Sequence, residues 1–140
     1  VNAVEIEWHP LFRRWFEELC KTTDEIAADV MALLNALEQY GTALGDPESH
    51  PVVTSQCRLR SLRRTPPTEV TPHATTPPVI RVLYGFVDDG AQIKAVALLA
   101  GDKTISKSRW YPPAVQEAER RLVSLSGRKG WTIRKLYVPT

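Results

Sequence analysis

The chain is poor in the residues from which most catalytic and metal centres are assembled. Its 140 residues include two cysteines, three histidines and one methionine. Cys20 and Cys57 stand apart, without a CxxC pair or a Cys/His spacing, and so read as two free thiols of a reducing compartment. His9, His50 and His73 are scattered too, and no combination has the spacing of a zinc site. There is no Gly-rich phosphate loop, no Ser/His/Asp arrangement and no dinucleotide fingerprint. No apolar run approaches the length of a membrane span, and the first residues lack a signal peptide's basic-then-apolar layout. The expectation is a cytoplasmic protein with no membrane contact, cofactor or metal. Neither an internal repeat nor a domain boundary is visible, and the length suits one domain with a sizeable core.

What is present is charge, unevenly placed. Residues 1–50 carry ten acidic and three basic side chains, whereas residues 51–140 carry six acidic and fifteen basic ones. The net charge of +2 hides this division, and a basic second half implies a polyanionic partner. The stretch from Val79 to Tyr111 is its centre. Two apolar runs, 79–87 and 92–100, flank Asp89-Gly90, which predicts a β-hairpin. Arg81 interrupts the first run, and an arginine in a half-buried strand needs an anionic partner, of which phosphate is one of the best. Lys103, Lys107, Arg109 and Tyr111 follow the second run within nine positions. The hairpin thus delivers cations and a phenol to one edge, suited to a phosphodiester.

Elsewhere the periodicity gives an ordered set of elements. Val4 to Trp8 alternates apolar and acidic residues as a half-buried strand does. His9-Pro10 opens a helix with Leu11, Phe12, Trp15, Phe16 and Leu19 on one stripe. Thr22 and Glu25 have the spacing of a capping box for a second helix, which carries Ile26, Val30, Leu33, Leu34 and Leu37 and ends at Gly41. Residues 44–55 read as a loop. Residues 58–64 read as a strand with a cationic face, and residues 65–78, with five prolines and five threonines, as an extended loop. Pro112-Pro113 opens a third helix bearing Val115, Ala118, Leu122 and Leu125, which the stretch Gly127 to Gly130 breaks. Residues 131–138 form a further strand or an arm. The pattern predicts an α+β domain, with an antiparallel sheet of about four strands packed against an N-terminal helical hairpin, plus a C-terminal helix.

Several of these pieces, in this order, resemble the RelE/ParE superfamily of bacterial toxins, in its HigB-like, phage-derived form. They are Trp8 on the early strand; Leu37-Glu38-Gln39-Tyr40-Gly41 with Leu44-Gly45-Asp46-Pro47; Leu59-Arg60-Ser61-Leu62-Arg63; Ile80 to Phe86; Leu98 to Thr104; and Trp110-Tyr111 before a helix with Ala118-Glu119. The resemblance spans residues 4–125 and leaves 126–140 outside. It implies a RelE-like fold and the toxin of a type II toxin–antitoxin pair. Such a toxin is an endoribonuclease that cuts mRNA on the ribosome and inhibits translation. A cognate antitoxin, with a helix-turn-helix DNA-binding domain, restrains it. By motif position Arg63, Arg81, Lys103 and Tyr111 match the family's catalytic residues. Arg58, Arg60, Arg64, Lys107, Arg109 and Trp110 are the candidate RNA-binding residues. Two departures stand out: Ser61 replaces a glutamate common in relatives, and the 65–78 loop is longer than the usual turn.

Metal-free RNA cleavage requires a base for the 2′-hydroxyl, charge stabilisation at phosphorus and an acid for the 5′-oxygen. No histidine lies on the matching strands, so this work falls to Tyr111 or Lys103, with Arg63 and Arg81 clamping phosphate. Plainer readings stand beside each. Arg60 and Arg63 suit a solvated strand face, and Arg81 suits a salt bridge to Asp102 or Glu117. Lys103, Lys107 and Arg109 suit ordinary loop charges, Trp110 core packing, and Tyr111 a seal on the helix start. Two other functions fit the resemblance: a ParE-like gyrase inhibitor acting by binding, and a catalytically decayed binding module.

Overall fold

The computed structural model describes residues 2–63, 79–102 and 107–135, with the backbone alone for Lys107 and Ser108. Arg64, Lys103, the Pro/Thr-rich 65–78 stretch and the tail beyond Lys135 lie outside the described residues, as does the Lys107 side chain. The described elements are β1 (Glu5–Trp8), α1 (Pro10–Thr22), α2 (Asp24–Tyr40), β2 (Ser49–Pro51), β3 (Arg60–Arg63), β4 (Ile80–Asp88), β5 (Ile93–Asp102), α3 (Tyr111–Lys129) and β6 (Thr132–Arg134). Together they make an α+β domain. None of the described helices is long and apolar enough to cross a membrane.

The sheet is larger than the expected four strands and is mixed. Its order is β1-β5-β4-β3-β2, with β6 also paired to β4. β1 runs parallel to β5, and the other pairs are antiparallel. β5 takes one edge of β4 along its whole length, while β3 and β6 share the other. β2 falls where the sequence reads as loop, because three residues ending in proline carry no alternation to detect. The turn at Asp89-Gly90 forms as expected, with Gly90 at φ 97° and the Asp89 N–H donating to the Gln92 carbonyl at 3.0 Å.

Helices cover both faces. On one, Phe12 of α1 and Val30, Leu34 and Leu37 of α2 pack on Leu62, Val82, Tyr84 and Ala97. On the other, Val115, Ala118 and Leu122 of α3 pack on Leu59, Leu83, Val96 and Leu98. The α2 and α3 stripes legible in the sequence are these buried faces, apart from half-buried Ile26; on α1 only Phe12 is buried, Trp15, Phe16 and Leu19 are half-buried, and Leu11 is exposed. Two boundaries differ from expectation. Thr23, not Thr22, precedes α2 and makes no side-chain cap bond; the Thr22 hydroxyl donates back to carbonyls of α1, so the capping box does not form. Gly127 stays helical, and α3 ends only at Gly130, whose φ of 71° is the left-handed cap that glycine adopts freely.

His9 has a purely structural use. It is 7% exposed and caps α1, its Nδ1 accepting the Leu11 N–H at 3.1 Å. Burial, then the charges of Arg121 and Arg128, hold its pKa below the ordinary 6.5. Protonation would remove the acceptor. The unfolded chain binds this proton more readily than the folded one, so stability is complete above about pH 6.5 and falls as the pH drops through the depressed value. Thermal unfolding between pH 7.5 and 5 is expected to show a falling Tm. His9→Asn, which keeps a capping acceptor without titrating, should flatten that slope.

Candidate functional site

The register of the sheet assembles the site on the face covered by α3. Strand pairing sets Arg63 of β3 opposite Arg81 of β4, and Arg81 opposite Gly101 of β5. Side chains alternate along a strand, so Leu59, Ser61 and Arg63 share one face with Arg81 and Leu83. A bulge completes the row. Leu83 pairs with Leu99 but Tyr84 with Ala97, leaving Leu98 as an extra residue on β5. Without it, alternation from Ala97 would turn Gly101 to the α1/α2 side. With it, Gly101 faces α3 and receives the Trp110 indole: a Cβ there would lie 2.8 Å from Trp110 Nε1. One row across three strands therefore reads Arg63, Arg81, Gly101, with Trp110 seated on its end.

The next row adds hydroxyls and an imidazole. Ser61 Oγ lies 3.3 Å from the hydroxyl of Tyr111, at the start of α3. Tyr111 also borders an open groove of about 720 Å3 with Thr54, Pro112, Val115, Gln116 and Glu119. Opposite Ser61 in the β2–β3 register is His50, so its ring belongs to the same face. His50 Nδ1 is 2.6 Å from Asp46 Oδ1, and its Nε2 is buried with no hydrogen-bond partner among the described residues. Burial and the Arg63 charge lower the His50 pKa; Asp46 opposes them, and Arg60 and Arg81 add to the lowering. The ring is thus neutral near neutral pH, with the Asp46 carboxylate on its Nδ1 side and Nε2 facing away from it.

The two facing arginines are unusual for a sheet. Like charges directly opposite repel. Among the described residues neither forms an ion pair. Arg63 Nε donates to the Pro47 carbonyl at 3.2 Å, and an Arg81 terminal nitrogen donates to the Ile80 carbonyl at 3.2 Å. Arg81 Nε is buried without a partner among the described residues. The plainer reading offers Arg81 a salt bridge to Asp102 or Glu117; Glu117 is taken by Arg120 and Arg121 on its own helix.

Of the described candidates, the structure sets Arg63, Arg81, Tyr111 and Trp110 on one side of the sheet and separates Arg58 and Arg60 from them. Arg60 is the clearest correction. It points to the opposite face and is 3% exposed, its Nε donating to Ser49 Oγ at 2.9 Å and a terminal nitrogen to the Ser49 carbonyl at 3.2 Å. The same Ser49 hydroxyl lies 2.6 Å from the buried Tyr84 hydroxyl, so Arg60 is locked in a core network and is not available to RNA. Arg58 is exposed, precedes β3 and adopts φ 57°, so it extends no cationic strand face. Arg109 and Trp110 line a cleft of about 420 Å3 between α1 and α3, with Leu11, Trp15, Glu117 and Arg121. Sequence reasoning passed over Asp46 and His50. Their signal is a carboxylate four residues before a histidine across a proline turn, too common a spacing to stand out.

Comparison of the chain with protein-family models, curated proteins and solved structures finds no match. The class that fold and site define is therefore an α+β domain whose mixed sheet carries paired arginines and an imidazole on one face, beside the phenol that opens α3.

Proposed function

We propose that this chain is a RelE-like toxin of a type II toxin–antitoxin pair, a ribosome-dependent mRNA endonuclease acting in the cytoplasm. The single observation that supports this reading is the Arg63–Arg81 pair, set opposite each other on one face, with an Arg81 Nε that is buried and has no partner among the described residues. Two guanidinium groups facing each other repel in an empty site and cooperate on an anion that bridges them. A phosphodiester supplies that anion, and Trp110 and Tyr111 at the border offer aromatic surface to the adjoining bases. Nucleophile and leaving group are then both RNA oxygens, so cleavage needs no metal. The chain places and neutralises the phosphate and handles two protons. Among the described residues no group of three His, Cys, Asp or Glu side chains could hold a metal ion. The partner that restrains the toxin is an antitoxin with a helix-turn-helix domain, whose acidic segment covers the arginine row.

Expression from a tightly controlled promoter in bacteria, with mapping of message ends, tests this. Growth arrest with new cuts in translated messages is expected, lost in Tyr111→Phe or much reduced. Arrest with intact messages would replace cleavage by a gyrase-type target. A folded chain that causes no arrest would mark a decayed binding module.

A further inference from the structure

We propose that His50, held by Asp46, is the proton acceptor coupled to this anion site: its Nε2 takes up a proton when a phosphodiester occupies the Arg63–Arg81 pair, and in RNA cleavage that proton is the one leaving the 2′-hydroxyl. The inference rests on the cleavage reading for its substrate, but not for the coupling itself.

Three features of the molecule carry it. The first is placement. β2 pairs His50 with Ser61, so the imidazole shares a sheet face with Arg63 and Arg81 and lies across from the Ser61–Tyr111 hydroxyl pair. The second is orientation. Asp46 Oδ1 lies 2.6 Å from Nδ1, so its negative charge favours the ring proton at Nδ1 and leaves Nε2 as the atom that accepts. The third is that Nε2 accepts nothing: it is buried and has no hydrogen-bond partner among the described residues. Buried polar atoms are satisfied as a rule, and one that is not calls for a use. His9 shows the contrast, since its cap bond accounts for its place in the fold.

The charges around the ring couple proton to anion. Arg63 and Arg81 on its own face and Arg60 beneath it disfavour the imidazolium, Asp46 favours it, and the Tyr111 hydroxyl lies beyond Ser61. A bound phosphate offsets the arginine charges, so the ring gains proton affinity when substrate arrives and not before. Burial fixes the sequence of events, because RNA must displace whatever shields Nε2 before the proton moves. The 2′-oxygen then bonds to phosphorus as its proton passes to Nε2. The bond from phosphorus to the 5′-oxygen breaks, and that oxygen takes the Tyr111 phenol proton. The products are a 2′,3′-cyclic phosphate and a 5′-hydroxyl, and both side chains afterwards restore their protons by exchange with water.

The test uses the whole chain and a 2′-O-methyl RNA hexanucleotide, which binds but has no hydroxyl to react. His50 is followed by its imidazole carbon–proton signals, identified by their loss in His50→Gln. The free chain is expected to titrate below the ordinary 6.5. Saturation with the probe should raise the midpoint by one pH unit or more. His50→Gln should bind the probe within about twofold of the wild type yet cut all-ribose message roughly 10²–10⁴ times more slowly, without the acidic limb of the pH–rate profile. In Asp46→Asn that limb should move to lower pH. An unchanged midpoint with the probe bound, or His50→Gln cutting at the wild-type rate, overturns the inference while cleavage by the wild type stands. A shifted midpoint in a chain that cuts no message supports the coupling and removes the cleavage reading. Failure of the probe to bind overturns the coupling, while the mapping of message ends decides the cleavage reading separately.

Discussion

Arg81→Ala is expected to lower message cleavage roughly 10²–10³-fold, the usual effect of removing one preorganised donor from a developing anionic charge. The same variant should be at least as stable as the wild type. Arg81 Nε is buried without a partner among the described residues, and Arg81 is paired in register with a second cation, Arg63. Truncation removes an unsatisfied donor and one of two like charges at paired positions, each a cost to the empty site. A site that binds an anion holds such strain in the absence of ligand and releases it on binding. Arg81→Lys separates charge from shape: it keeps the cation but loses the planar fork that grips two phosphate oxygens, and should recover only part of the rate. The measurements are single-turnover cleavage and thermal unfolding of the three proteins side by side. A large fall in Tm for Arg81→Ala, with cleavage lost only in proportion to the unfolded fraction, would recast Arg81 as structural.

How far the sequence could be read depended on which physical signal each element carries. The β4–β5 hairpin was legible because Asp89-Gly90 dictates the turn and two long apolar runs flank it. The helices were legible because each carries an apolar stripe, buried along α2 and α3 and centred on Phe12 in α1. The strand at Arg60–Arg63 misled because both faces of the sheet are covered by helices. A half-exposed strand separates charged from apolar residues; here each face carries both, Arg60 with Leu62 on one and Leu59 with Ser61 and Arg63 on the other. Arg63 and Arg81 were singled out from sequence, and the strand register sets them opposite each other. His50 was missed because β2 has no pattern of its own and owes its place to pairing with β3. The bulge at Leu98 was equally silent, yet it turns Gly101 toward Trp110 and so borders the arginine row.

Ser49→Ala is expected to do the opposite of Arg81→Ala, unfolding the chain easily while touching no group on the arginine face. The serine hydroxyl accepts from Arg60 Nε at 2.9 Å and lies 2.6 Å from the Tyr84 hydroxyl, and all three residues are buried. Burial outweighs the neighbouring Arg60 charge and holds the Tyr84 pKa above 10.0, so the phenol stays protonated at any ordinary pH. Removing one oxygen leaves a guanidinium nitrogen and a phenol unpaired in the core. At about 1–3 kcal/mol for each buried group left unsatisfied, the loss is about 3 kcal/mol. For a chain of this size that lowers Tm by roughly 10 °C. Tyr84→Phe in the same background removes one of the stranded groups. The double variant should therefore lose less than the sum of the singles, by about 1 kcal/mol in a double-mutant cycle of denaturant unfolding. Additive losses would show that the hydroxyls do not share a network. The network also reaches the candidate site through the backbone. Ser49 precedes His50 on β2 and Arg60 precedes Ser61 on β3, so the bonds that fix the core side of this strand pair fix the register of its other side. Cleavage by Ser49→Ala, measured well below its lowered Tm, should accordingly fall by a smaller factor than in Arg81→Ala, because register is loosened while every phosphate-binding group remains.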